Sequence, residues 1–130
     1  MAEYLIRIAE NEINEALSAM GAVLVQGARA VGKSTIAKKL AESSISLDAS
    51  LALIELAKIS PEVILEGPTP RFIDEWQLAP SIWNAVRHEI DNRQATAQFI
   101  LAGSATPADD VTRHTGAGRI GRVTLMPMTL

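Results

Sequence analysis

Near the start of the chain, Ile13, Ala16, Leu17 and Met20 fall at helical spacing with Glu10, Glu12, Asn14 and Glu15 between them, which predicts an amphipathic helix closed by Gly21. The period then changes. Ala22-Val23-Leu24-Val25 is a continuous apolar run, the pattern of a strand covered on both faces. A glycine-bounded loop leads to a predicted helix from Lys33 to about Glu42, with Ile36, Ala37 and Leu40 toward the sheet. A short strand is expected at Ile45-Ser46-Leu47, then Asp48 as the cap of a helix through Leu51, Ile54 and Lys58. Ser60-Pro61-Glu62 reads as a new helix start, with proline first and the acid in the first turn, and Gly67-Pro68-Thr69-Pro70 is a break. Arg71-Phe72-Ile73-Asp74 is the third predicted strand, and Pro80-Ser81 opens a helix carrying Ile82, Trp83, Val86 and Ile90 on one side. Gln98 to Ala102 is the fourth strand and Arg122 to Met126 the fifth. Strands alternating with helices predict an α/β fold in three layers, a parallel sheet with helices on both faces.

Composition narrows this picture without adding chemistry. The 130 residues, 48% hydrophobic, suit one domain over 1–130. Aromatics make up 4%, so the core is aliphatic, and the net charge of -3 does not indicate nucleic-acid binding by bulk charge. Cysteine is absent, which excludes disulfides, thiolate zinc sites and a cysteine nucleophile. No stretch approaches the run of about 18 apolar residues that crosses a bilayer. The Met1 to Arg7 start is unlike a secretory signal, so a cytoplasmic protein is expected. The apolar close at Met126-Pro127-Met128-Thr129-Leu130 leads us to expect an amino-terminal fragment of a longer protein.

The chemistry lies in Gly27-Ala28-Arg29-Ala30-Val31-Gly32-Lys33-Ser34, which matches the P-loop pattern G-x-x-x-x-G-K-[ST] between a predicted strand and a predicted helix. The glycines let backbone N–H groups turn around a β-phosphate, Lys33 reaches β- and γ-oxygens, and Ser34 offers its hydroxyl to Mg²⁺. The helix that starts there adds its positive dipole end to the anion site. Thr35 completes the candidate nucleotide-binding segment. Phe72-Ile73-Asp74-Glu75 supplies a second signal. An acid at the carboxyl end of an apolar strand can hold a Mg²⁺-bound water, and Glu75 next to it can polarise a water as general base or orienting acceptor.

Other candidates divide between chemistry and structure. Ser104, ending the fourth strand, is a candidate contact to the γ-phosphate or attacking water, with a turn cap before Pro107 as the equal alternative. Arg119 and Arg122 lie in a glycine-rich stretch, and the guanidinium fork suits phosphate oxygens. Arg119 is the candidate nucleotide-linked arginine, in cis or from a neighbour; Arg122 borders the fifth strand. Arg29, at a variable position of the P-loop, leans over the nucleotide or pairs with an acid elsewhere. His88 is expected at the surface or partly buried on its helix, and His114 has no partner in sequence.

The set Gly-Ala-Arg-x-Val-Gly-Lys-Ser, Phe-Ile-Asp-Glu-Trp-Gln-Leu-Ala-Pro, Phe-Ile-Leu-Ala-Gly-Ser and Gly-Ala-Gly-Arg resembles a family of prokaryotic AAA-like P-loop ATPases over nearly the whole chain. The resemblance implies Walker A at Gly27 to Ser34, Walker B through Asp74 and Glu75, a sensor-like residue at Ser104 and a characteristic arginine at Arg119. It also implies a sheet of order 5-1-4-3-2 and a further carboxyl-terminal domain beyond Leu130. Ser34 stands where the family usually has threonine, and Ala102 where it often has threonine.

Three functions compete. The leading expectation is a Mg²⁺-dependent ATPase, with Lys33, Glu75, Ser104 and Arg119 catalytic, Gly27 to Thr35 on ATP, and Ser34 and Asp74 on the metal. The alternative is a nucleotide-dependent switch that binds a protein or nucleic-acid partner without efficient hydrolysis, and self-association through an arginine in trans is compatible with either. A small-molecule phosphotransferase ranks third, because the sequence offers only one arginine loop and no clear acceptor site. ATP over GTP rests on the resemblance.

Overall fold

A computed structural model of the chain describes residues 2–27, 33–103 and 119–125. Helix α1 spans Ala2–Ala19, extending further toward the amino end than its apolar stripe predicts, and buries Ala9, Ile13 and Leu17. A close approach follows it, for a Cβ on Gly21 would sit 2.4 Å from Ile90 Cγ2. The strands are β1 (Ala22–Gly27), β2 (Ser43–Ser46), β3 (Arg71–Asp74), β4 (Phe99–Ala102) and β5 (Ile120–Leu125). Helix α2 (Lys33–Leu40) follows β1; α3 (Leu51–Ile59) and α4 (Pro61–Ile64) join β2 to β3; and α5 (Ser81–Arg93) joins β3 to β4.

Every pair in the five-stranded sheet is parallel and the order is β2-β3-β4-β1-β5, the expected 5-1-4-3-2 read from the other edge. Successive strand residues alternate between two cores. Leu24, Ile73, Phe99 and Leu101 pack with Leu65, Ile82, Trp83 and Val86 on one side. Val23, Val25, Phe72 and Ile100 pack with Ile13, Leu17, Ile36 and Ala37 on the other. Burial on both faces is why these strands read as unbroken apolar runs, each large side chain contributing about 1.5–3 kcal/mol. The Trp76 and Trp83 rings lie 5.2 Å apart in the first core.

Several boundaries differ from expectation, the fourth strand, for one, starting at Phe99 rather than Gln98. The second strand runs over Ser43–Ser46, and Leu47 instead opens a 3₁₀ turn, Leu47–Ala49, that buries its side chain. Asp48 therefore does not cap α3. Ser50, in extended conformation, accepts from the Leu53 N–H at 3.2 Å and is the cap, while Asp48 accepts from Ser46 Oγ. Helix α2 stops at Leu40. The fifth strand starts at Ile120 rather than Arg122, which sets Arg119 directly before it.

Arg71 ties the β2 edge to α4: Nε donates to the Ile64 carbonyl at 2.7 Å and Nη1 to Ser43 Oγ at 3.1 Å. Burial pulls its pKa below the ordinary arginine value.

Candidate functional site

Parallel register sets the strand ends level. Ser46, Asp74, Ala102, Val25 and Val123 form one row across the sheet, so Asp74 ends β3 two strand spacings, about 4.8 Å each, from β1. Helix α2 packs against β1, β3 and β4 and closes that gap. From its first turn, Ser34 Oγ donates to Asp74 Oδ2 at 2.9 Å. The other carboxylate oxygen, Oδ1, accepts the Glu75 N–H at 3.0 Å. Asp74, itself half-buried, is thus held by a donor on each carboxylate oxygen.

Glu75 leaves the strand with φ 56 and ψ 41, a left-handed conformation that costs a non-glycine residue about 1–3 kcal/mol. The next residues make a 3₁₀ turn, Trp76–Leu78, whose Trp76 is 2% exposed and anchored in the core. That anchor keeps Glu75 in place at the end of β3. Its Oε1 accepts from Gln77 Nε2 at 3.5 Å. Gln77 in turn lies against Gly103, where an added Cβ would meet Gln77 Oε1 at 2.0 Å. Sequence reasoning did not pick out Gln77; the available signal was an amide two residues beyond the acid, with glycine directly after the fourth strand.

A hydroxyl and a carboxylate meeting at 2.9 Å form a hard-oxygen pair, the donor chemistry that suits Mg²⁺. Among the described residues no group of three or more His, Cys, Asp or Glu could hold a metal by itself. A cation held here would complete its shell from ligand oxygens and water, as Mg²⁺ does in phosphate sites.

The remaining candidates are placed unevenly. Gly27 ends β1 at φ 148, a conformation that favours glycine. Lys33 opens α2, and Thr35 follows Ser34 on its exposed side. Ala28, Arg29, Ala30, Val31, Gly32, Ser104 and His114 lie outside the described residues. His88 is exposed on α5, and Arg122 is exposed on β5.

Arg119, the candidate nucleotide-linked arginine in cis or from a neighbour, is not brought to this end. Its carbonyl accepts from Ala22 N at 3.3 Å, level with the start of β1, whereas Gly27 pairs with Leu125 at the other end. The strand between, at about 3.3 Å per residue, separates the two by roughly 17 Å. The Arg119 Nε donates to Asp91 Oδ1 at 2.6 Å. The physical reason is topological: β5 runs parallel to β1, so a residue preceding it must lie at the amino end of the sheet.

A family model described as an AAA domain matches residues 20–130. No curated protein matches the chain. Among the described residues, no helix is long and apolar enough to cross a membrane.

Proposed function

The chain belongs to the AAA domain family, and on that footing we propose that it is a Mg²⁺-dependent ATPase module that binds ATP and hydrolyses its γ-phosphate. The observation that carries the reading is the hydrogen bond from Ser34 Oγ to Asp74 Oδ2, which brings the P-loop hydroxyl and the β3 carboxylate to one point. These two side chains would hold the metal, directly or through water. When bound, Mg²⁺ neutralises charge on the β- and γ-oxygens.

The rest of the chemistry belongs to the chain. Backbone N–H groups from Gly27 through Thr35, with the amino end of α2, cradle the phosphates, and Lys33 reaches the β- and γ-oxygens. Glu75 accepts from the attacking water and orients it, and its backbone position one residue beyond Asp74 keeps that water next to the transferred group. Ser104 contacts the γ-phosphate or the same water. Arg119 reaches a nucleotide only on a neighbouring copy of the chain.

Nucleotide titration and turnover assays on the full chain test this reading. Glu75→Gln is expected to keep Mg·ATP affinity and lower turnover by about 10²- to 10⁴-fold. Unchanged turnover would remove Glu75 from the water-handling role, and a chain that binds no Mg·ATP would end the proposal. The placement of Arg119 at the amino end of the sheet favours a second reading, a nucleotide-dependent switch that binds a protein or nucleic-acid partner without efficient hydrolysis. Turnover per chain that rises with protein concentration separates an assembled ATPase from a pure switch, which shows none at any concentration.

A further inference from the structure

Among the buried side-chain polar atoms without a hydrogen-bond partner in the described residues, which include Nε1 of Trp76, Gln77 Oε1 is the one whose side chain also contacts Glu75. Gln77 Oε1 is buried with no hydrogen-bond partner among the described residues, while the other end of the same amide donates toward Glu75. Turning the amide over would set its oxygen against a carboxylate oxygen, two acceptors face to face, so the chemistry fixes Nε2 toward Glu75 and Oε1 toward Gly103. A side chain on residue 103 would occupy the space of Oε1. Gly103 therefore provides the seat in which the amide rests, and the buried Trp76 beside Gln77 anchors the turn that carries it.

We propose that Gln77 is a positioning residue for Glu75, holding its carboxylate in one place from a seat on Gly103 at the end of β4. This rests on the assignment of Glu75 as the acid that handles the attacking water. Two features support it. The contact joins the acid to the amide two residues on, and the left-handed Glu75 backbone turns the chain so that both side chains meet. The amide is neutral, so it can hold the carboxylate without cancelling its charge. The contact is long at 3.5 Å, a length common for catalytic hydrogen bonds before the reacting ligand is bound and so compatible with this role.

The test compares the full wild-type chain with Gln77→Ala, with Gln77→Met, which keeps the length of the side chain but has no N–H, and with Gly103→Ala, which displaces the amide. Two readouts are taken on folded protein: the side-chain ¹³C signal and relaxation of Glu75, assigned by comparison with Glu75→Gln, and turnover with Mg·ATP affinity measured separately. The expected result is a Glu75 carboxylate that becomes mobile in all three variants, turnover lower by about 10- to 100-fold, and affinity within about twofold of wild type. In a Glu75→Gln background the same substitutions should lower residual turnover no further. A Glu75 carboxylate that stays ordered in Gln77→Met overturns the proposal whatever turnover does, and so does a mobile carboxylate with undiminished turnover. If the carboxylate is released but the wild type itself hydrolyses nothing, the positioning stands and the hydrolysis reading fails.

Discussion

Ser34 and Asp74, forty positions apart in the chain, meet through a hydrogen bond of 2.9 Å between Oγ and Oδ2. The contact spans the width of two strands because α2 lies across β1, β4 and β3 at their carboxyl ends.

If both groups serve one cation, Asp74→Ala and Ser34→Ala should each abolish most of the gain in ATP affinity that Mg²⁺ gives the wild type, and the double variant should be little worse than either. Ser34→Thr, which keeps the hydroxyl, should behave like wild type. Titrations with and without Mg²⁺ read this directly, and additive losses would place the two residues on separate tasks.

Glu75 stands in a left-handed backbone conformation that glycine adopts freely. Glu75→Gly should therefore raise the free energy of unfolding by about 0.5–1 kcal/mol, the relieved strain less the added chain entropy, while removing turnover. Urea denaturation beside an ATPase assay checks it; a less stable variant would argue that the Glu75 side chain holds the turn together.

Gly21→Ala drives a methyl group into Ile90, whose Cγ2, Cγ1 and Cδ1 stand at 2.4, 2.8 and 3.0 Å from the built Cβ. Overpacking of this kind costs about 1–3 kcal/mol. Thermal unfolding should show the loss, and in combination with Ile90→Ala the two costs should sum to less than their separate values.

Arg119→Ala should leave nucleotide affinity unchanged, since the residue borders the amino end of β5. Its pair with Asp91 leaves the two side chains 41% and 44% exposed, so the stability loss is expected at about 0–1 kcal/mol. Turnover that falls in proportion to the loss of self-association, at constant affinity, would assign Arg119 to a neighbour's site; a weakened affinity in dilute solution would contradict its distance from Gly27.

Much of the architecture was legible because the strands are buried on both faces. Phe72-Ile73 and Phe99 to Ala102 carry no polar residue, and short runs of that kind separated by helical spacing have few ways to fold. The less legible places are those where polar side chains compete for one local task. Asp48 and Ser50 both suit a helix cap, and the choice of Ser50 followed from the 3₁₀ turn that buries Leu47. Gln77 carried no signal beyond its spacing from Glu75, because its value depends on Gly103, which belongs to another strand.

By itself, the sequence determined the P-loop pattern from Gly27 to Ser34, the acidic pair Asp74 and Glu75, and the alternation of strands and helices, because these are properties of neighbouring residues and of local periodicity. Only the tertiary structure decided which of them meet. The parallel register sets Asp74 level with Val25 and lets Ser34 reach it, and it leaves Arg119 at the amino end of the sheet; the turn after β3 seats Gln77 on Gly103. Chain direction through the sheet assigns each loop to one end or the other, and spacing along the sequence carries no record of that direction.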